Sequence, residues 1–187
     1  MEKRYLVFIF LLFLSLMAVA PSHAQLIAGS SAAVTKIAQV STSRIQSSDI
    51  AIKRKTMYEV LKKYNSPLIN EVDSFLEACT TYNLDCYLLP SITGVESTFG
   101  KFLLSGTHNP FGWGRGLIQF NSYHDAIMAV AKGLRENYVN KGATTIEEIG
   151  AIYCEGNTWA GKVSYFDRQF RSEEEKQLFF MHDPVQL

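Results

Sequence analysis

The sequence is short of the groups that carry most familiar chemistries. It has 3 cysteines and 4 histidines in 187 residues. Cys79, Cys86 and Cys154 form no CxxC pair, and His108, His124 and His182 show no ligand spacing, so a zinc site is disfavoured. There is no G-x-S-x-G turn for a serine nucleophile. The glycine-rich stretch lacks the following Lys-Ser or Lys-Thr of a phosphate-cradling loop. No metal or organic cofactor is therefore implied. Neither sign of charge is in excess, with 18 Lys+Arg against 18 Asp+Glu, which argues against a nucleic-acid partner. Hydrophobic residues make up 47%, too many for a disordered chain and enough for one core.

The N-terminus reads as an export signal over residues 1–24. Lys3 and Arg4 precede an uncharged apolar run from Tyr5 to Ala20, and Ser22 and Ala24 are the small residues a signal peptidase requires. The run falls short of the roughly 20 residues of a usual spanning helix, so cleavage after Ala24 is expected. Membrane association follows only if the segment stays attached. Residues 25–48, rich in Ser, Thr, Ala and Gln, read as a flexible spacer. An exported chain can hold a disulfide. Cys79 and Cys86 flank a short turn and can meet, or all three cysteines are small buried apolar residues.

The folded domain is expected over residues 49–187 and should be mainly α. Met57, Val60, Leu61 and Tyr64 have helical spacing. Ser66-Pro67 is a helix start, and Leu68, Val72, Phe75, Leu76 and Cys79 make its apolar stripe. A turn at Asn83 to Asp85 leads to a helix carrying Leu89, Ile92, Val95, Glu96 and Phe99. Pro90 belongs in its first turn and Gly100 is its stop. Ser122 with Asp125 and Thr145 with Glu148 read as capping boxes. They head stripes of Ile127, Val130, Ala131, Leu134 and Tyr138, and of Ile146, Ile149, Ile152 and Tyr153. Gly142 closes the first of these. Thr158 caps a helix carrying Trp159, Val163, Phe166 and Phe170, and Ser172 with Glu175 starts a short last one. Between these helices Gly100, Gly106, Gly112, Gly114 and Gly116 crowd one stretch with Asn109-Pro110, which reads as a small loop or hairpin insertion.

Glu96 lies in an otherwise uncharged stretch near the end of its helix. The negative end of the helix dipole and apolar neighbours both disfavour a carboxylate there. A carboxylic acid kept protonated is what glycosidic cleavage needs to protonate the leaving oxygen. The plain alternative is an exposed Glu on a solvated face. In the insertion, Trp113 offers a flat ring beside glycine backbone, and Asn109 and Gln119 offer amide donors and acceptors. Phe111 and Trp113 read alternatively as plugs for the core beneath the loop.

Five pieces of the chain together resemble a known family. They are Gly94-Val95-Glu96-Ser97-Thr98-Phe99-Gly100, Asn109-Pro110-Phe111-Gly112-Trp113-Gly114, Phe120-Asn121-Ser122-Tyr123, Ile152-Tyr153 and Trp159-Ala160-Gly161-Lys162-Val163. Their order and spacing resemble the lysozyme-like superfamily of bacterial wall-lytic enzymes. The nearest branch is the endo-β-N-acetylglucosaminidases (autolysins and flagellar glucosaminidases), over about Ser66 to Phe170. Glu96-Ser97, Gly116-Leu117-Ile118-Gln119 and Tyr153 are also similar to goose-type lytic transglycosylases. The resemblance implies a lysozyme-like helical domain, peptidoglycan glycan strands as substrate, Glu96 as general acid, and a cleft between the helices and the insertion. Asn109, Trp113, Gln119 and Tyr153 would line that cleft. A non-catalytic wall-binding module on the same fold is the rival reading.

One absence bears on mechanism. No Asp or Glu stands between Glu96 and Asp125. A second catalytic carboxylate must then come from farther away, Glu155 being the candidate, or the substrate supplies the nucleophile itself. The 2-acetamido group of an N-acetyl sugar is one such group, and the muramic acid 6-hydroxyl, which yields an anhydro end, is another.

Overall fold

The computed structural model describes residues 47–153 and 158–182. The signal and most of the spacer lie outside these residues, as do Cys154 and Glu155. Helix α1 covers 47–63 and so already includes Ser47 and Ser48, the last residues assigned to the spacer. Its Met57, Val60 and Leu61 are buried. Ser66 then caps a 3-10 turn, Pro67–Glu71, by accepting the Leu68 N–H at 3.0 Å. The turn runs directly into α2, Val72–Tyr82, whose Val72, Phe75, Leu76 and Cys79 are buried as the stripe requires. Asn83 closes α2 in the left-handed region at φ 48°. A Cys79–Cys86 disulfide ties the end of α2 to the approach of the next helix.

Helix α3, Leu88–Ser97, takes Pro90 in its first turn. The chain then crosses 98–122 without a strand to α4, Tyr123–Asn137. Ser122 Oγ caps α4 by accepting the Asp125 N–H at 3.0 Å. Gly142 closes not α4 itself but a 3-10 extension, Val139–Lys141. Helix α5, Ile146–Tyr153, starts on the expected capping box. Thr145 Oγ1 accepts the Glu148 N–H, and Glu148 Oε2 accepts the N–H groups of Thr144 and Thr145. Its Ile149 is buried, but Ile152 is 60% exposed, because eight residues bury a single face and 149, 150 and 153 occupy it.

Helix α6 runs unbroken over Thr158–His182, 25 residues. The separate helix expected from Ser172 does not exist. Nothing between Lys162 and Asp183 is Gly or Pro, so Ser172 is simply absorbed into the interior of the helix. The buried Trp159, Val163 and Phe170 place one face of α6 in the core. Gly94 of α3 faces α6 where a Cβ would meet the Phe166 ring at 2.8 Å, so this glycine sets how closely the two helices approach.

Candidate functional site

The end of α3 has constrained backbone. The helix stops at Ser97, not at Gly100, because Thr98, Phe99 and Gly100 take φ of 52°, 57° and 80° in succession. A left-handed conformation costs a non-glycine residue roughly 1–2 kcal/mol, and a β-branched threonine resists it further. Packing and hydrogen bonds hold it there. The Phe99 N–H donates to Thr93 O at 2.9 Å, and Ser66 Oγ donates to Phe99 O at 2.7 Å. The Phe99 ring is fully buried, 4.6 Å from the Tyr64 ring and 5.0 Å from that of Phe166. The core needs Phe99 in that position, and the chain bends left-handed to deliver it.

The same bend delivers the glycine-rich loop to Glu96. Buried Ser97 donates to Pro110 O at 2.7 Å while accepting the Gly100 N–H at 2.9 Å, so it fastens the loop to the helix end. Phe111 is fully buried and plugs the core, as one of the two readings had it. Gly112, at φ 65°, lies where a Cβ would stand 3.4 Å from Glu96 Oε2. Any side chain there would crowd the carboxylate.

Asn109 is not a free contact on the loop surface. It is buried, its amide donates to Trp113 O at 2.8 Å and Ile118 O at 3.1 Å, and its Oδ1 accepts the Trp113 N–H. It shapes the loop from within. Trp113 is half-buried and lies across α4, where a Cβ on Gly133 would come within 2.4 Å of its ring. Gln119 is exposed on the descending arm. Besides side-chain bonds from His108 and Asn109, the two arms share one backbone bond, Phe120 N–H to Thr107 O at 2.9 Å, rather than a hairpin ladder.

The third wall comes from α5 and α6. The Trp159 indole N–H donates to Glu96 Oε1 at 2.8 Å. Tyr153 stacks on the Trp159 ring at 4.7 Å and 27°. Gly150 leaves room for the ring, since a Cβ there would be 3.1 Å from it. Glu96 is therefore half-buried and fixed, with its bonded oxygen toward Trp159 and the other toward Gly112. An indole N–H is a donor only. The indole engages Oε1 and leaves Oε2 toward the loop.

No protein-family model matches the chain, and no curated protein does.

The geometry thus joins Glu96 directly to Trp159, through Trp159 to Tyr153, and to the backbone of the loop that carries Trp113. Asn109 serves that loop from within, and Gln119 lies exposed on its descending arm. Trp159 as partner of the acid was not legible as such, because in sequence it reads as one more member of the α6 stripe. Gly133 and Gly150 were missed too, although a glycine inside a helical pattern is a recognised sign of close approach. A cavity of about 600 Å³ lies elsewhere, over Asp85, Arg135, Glu147, Arg168 and Arg171, and contains neither Glu96 nor any residue of the loop.

Proposed function

We propose that this chain is an exported glycosidase of lysozyme-like architecture that cleaves the β-1,4 bonds of peptidoglycan glycan strands, with Glu96 as general acid. The observation that carries the reading is the Glu96 carboxyl itself. One oxygen is held by a neutral indole donor, and the other faces the backbone of a glycine-rich loop. A carboxyl held on one oxygen by a neutral donor, with the other toward the loop, has the geometry to deliver a proton to a leaving sugar oxygen. Tyr153 stacks on the Trp159 ring that holds the acid, and Trp113 is carried by the loop that faces it. The rival, a wall-binding module without activity, leaves the orientation of this acid without a purpose.

The second step is expected to use the substrate. No Asp or Glu stands between Glu96 and Asp125, so the acetamido group or an intramolecular hydroxyl is the proposed nucleophile. Attack by the acetamido group leads to a reducing N-acetylglucosamine end. Attack by the muramic acid 6-hydroxyl leads to an anhydromuramic end, as in lytic transglycosylases. Digestion of purified peptidoglycan, with the new ends identified by mass spectrometry, tests the reading and separates the two. Glu96→Gln should leave no new ends under the same conditions. Undiminished cleavage by that variant would refute the assignment.

A further inference from the structure

The cavity of about 600 Å³ is bounded by α4, α5, α6 and the turn before α3. It is apart from the acid, since neither Trp159 nor Gly112, which meet Glu96, lines it. Its volume is that of a small-ligand site, roughly 300–1,000 Å³. Buried Leu88 and Ile149 and half-buried Leu84, Val139 and Ile146 give it an apolar lining.

Its charged groups fall into two sets. Asp85 and Asp167 are both answered by Arg171, at 2.9 and 2.7 Å. Arg135, Arg168 and Glu147 line the same cavity and do not pair with one another. Among the described residues, Arg135 makes a single 3.4 Å bond to Asn83 O, Arg168 makes no hydrogen bond or ion pair, and Glu147 accepts one 3.3 Å bond from Ser164 Oγ. A guanidinium has five N–H donors, so nearly all those of Arg135 and Arg168 are unused. They suit a carboxylate, which can take two parallel bonds from one guanidinium.

Three arginines and three acids line the cavity, so their charges sum to zero. A ligand of zero net charge leaves that balance intact, and a simple anion or cation does not. The unpaired positive and negative groups call for both charges on one molecule. Ser164, which bonds the Glu147 carboxyl, and Arg168 stand four residues apart on one face of α6. Their positions are offset by about one turn, roughly 6 Å. An extended dipeptide spans at most about 7 Å, enough to cover that offset.

We propose that this cavity is a separate binding site for a short apolar peptide with free ends, its carboxylate held by Arg135 and Arg168 and its ammonium by Glu147. The side chains of such a peptide would rest on Leu84, Val139 and Ile146. The inference does not depend on the glycosidase reading.

The test is calorimetric titration of the full chain with four dipeptides: Leu-Leu with free ends, its N-acetyl form, its C-terminal amide, and Gly-Gly. Leu-Leu should bind saturably, and each blocked form about two- to fivefold more weakly at low salt, the range of an exposed ion pair. Gly-Gly should be weaker than Leu-Leu, because it has no side chain for the apolar lining. The advantage of free ends should shrink as salt is raised. Arg168→Gln and Arg135→Gln should weaken Leu-Leu and leave the amide unchanged. Glu147→Gln should weaken Leu-Leu and leave the N-acetyl form unchanged. That crossed pattern assigns each end to its partner, and a merely structural role for these side chains would not produce it. Unchanged melting temperatures keep the variants comparable. Absence of saturable Leu-Leu binding, equal binding of blocked and free forms, or a loss in the variants shared by all four dipeptides overturns the proposal.

Discussion

Asp167 and Glu96 are both acids packed against the α3–α6 core, and they are met in opposite ways. Asp167 is buried, and the Arg171 guanidinium reaches both of its oxygens, at 2.7 and 3.2 Å, with a further bond to Asp85 at 2.9 Å. Those bonds, the one to Asp167 first, push the Arg171 guanidinium above its already high value. Charge is answered by charge, in a two-pronged geometry that suits a permanent ion. Glu96 receives a neutral N–H on one oxygen, and the groups around it are aromatic rings and glycine backbone. The first arrangement braces α6 within itself and ties it to the turn before α3, and the second holds Glu96 by a single neutral bond.

The comparison breaks most decisively at Glu96. Glu96→Gln keeps size and hydrogen-bonding capacity but has no proton to deliver. Turnover should fall at least about a hundredfold, the usual contribution of a general acid, with the thermal midpoint within a degree or so of wild type. A stability loss in place of an activity loss would make Glu96 a second Asp167.

Arg171→Met asks the reverse question. It leaves Asp167 buried without its partner, a penalty of roughly 1–3 kcal/mol that lies toward the lower end because Arg171 is about half exposed. Denaturant unfolding should show that loss while kcat stays at the wild-type value. A fall in kcat at unchanged stability would show that the two regions are not independent.

Trp159→Phe sharpens the contrast, because it keeps the ring against Tyr153 and Gly150 and removes the N–H. A hydrogen bond to an ionisable group is worth about 1.5 kcal/mol or somewhat more. If the bond orients the acid, kcat should drop roughly tenfold with KM unchanged. A lowered melting temperature in Trp159→Phe with kcat intact would reduce Trp159 to packing.

The smallest effect belongs to Glu148, an exposed acid with a purely structural task. The backbone N–H groups of Thr144 and then Thr145 hold its carboxyl below the ordinary range. Its contribution is therefore present above the usual carboxylate range and is lost as pH falls through the lowered value. Glu148→Gln should flatten the acid side of the stability–pH profile. A profile superimposable on wild type would remove the capping box from the account.

The helices and their punctuation were legible residue by residue. Ser66-Pro67, Ser122 with Asp125 and Thr145 with Glu148 act through bonds to residues two or three positions away, so the sequence contains both partners. The apolar stripes are equally local, since helical spacing alone decides which side chains share a face. The boundaries at Ser172 and Gly100 escaped for a related reason. Ser172 carried a start signal inside a helix with no breaker before it, and at Gly100 the stop moved back to Thr98 because the core draws in Phe99. Of the site, sequence alone determined that Glu96 is a solitary acid near a helix end, followed by a loop rich in glycine and aromatics. What only the tertiary structure decided is who meets it. Trp159 reaches Glu96 across 63 residues of chain. Ser97 grips Pro110, and Trp113 settles on Gly133. Those pairings depend on how closely α3, α4 and α6 approach. That distance is set by glycines whose importance appears only once the opposing ring is in place.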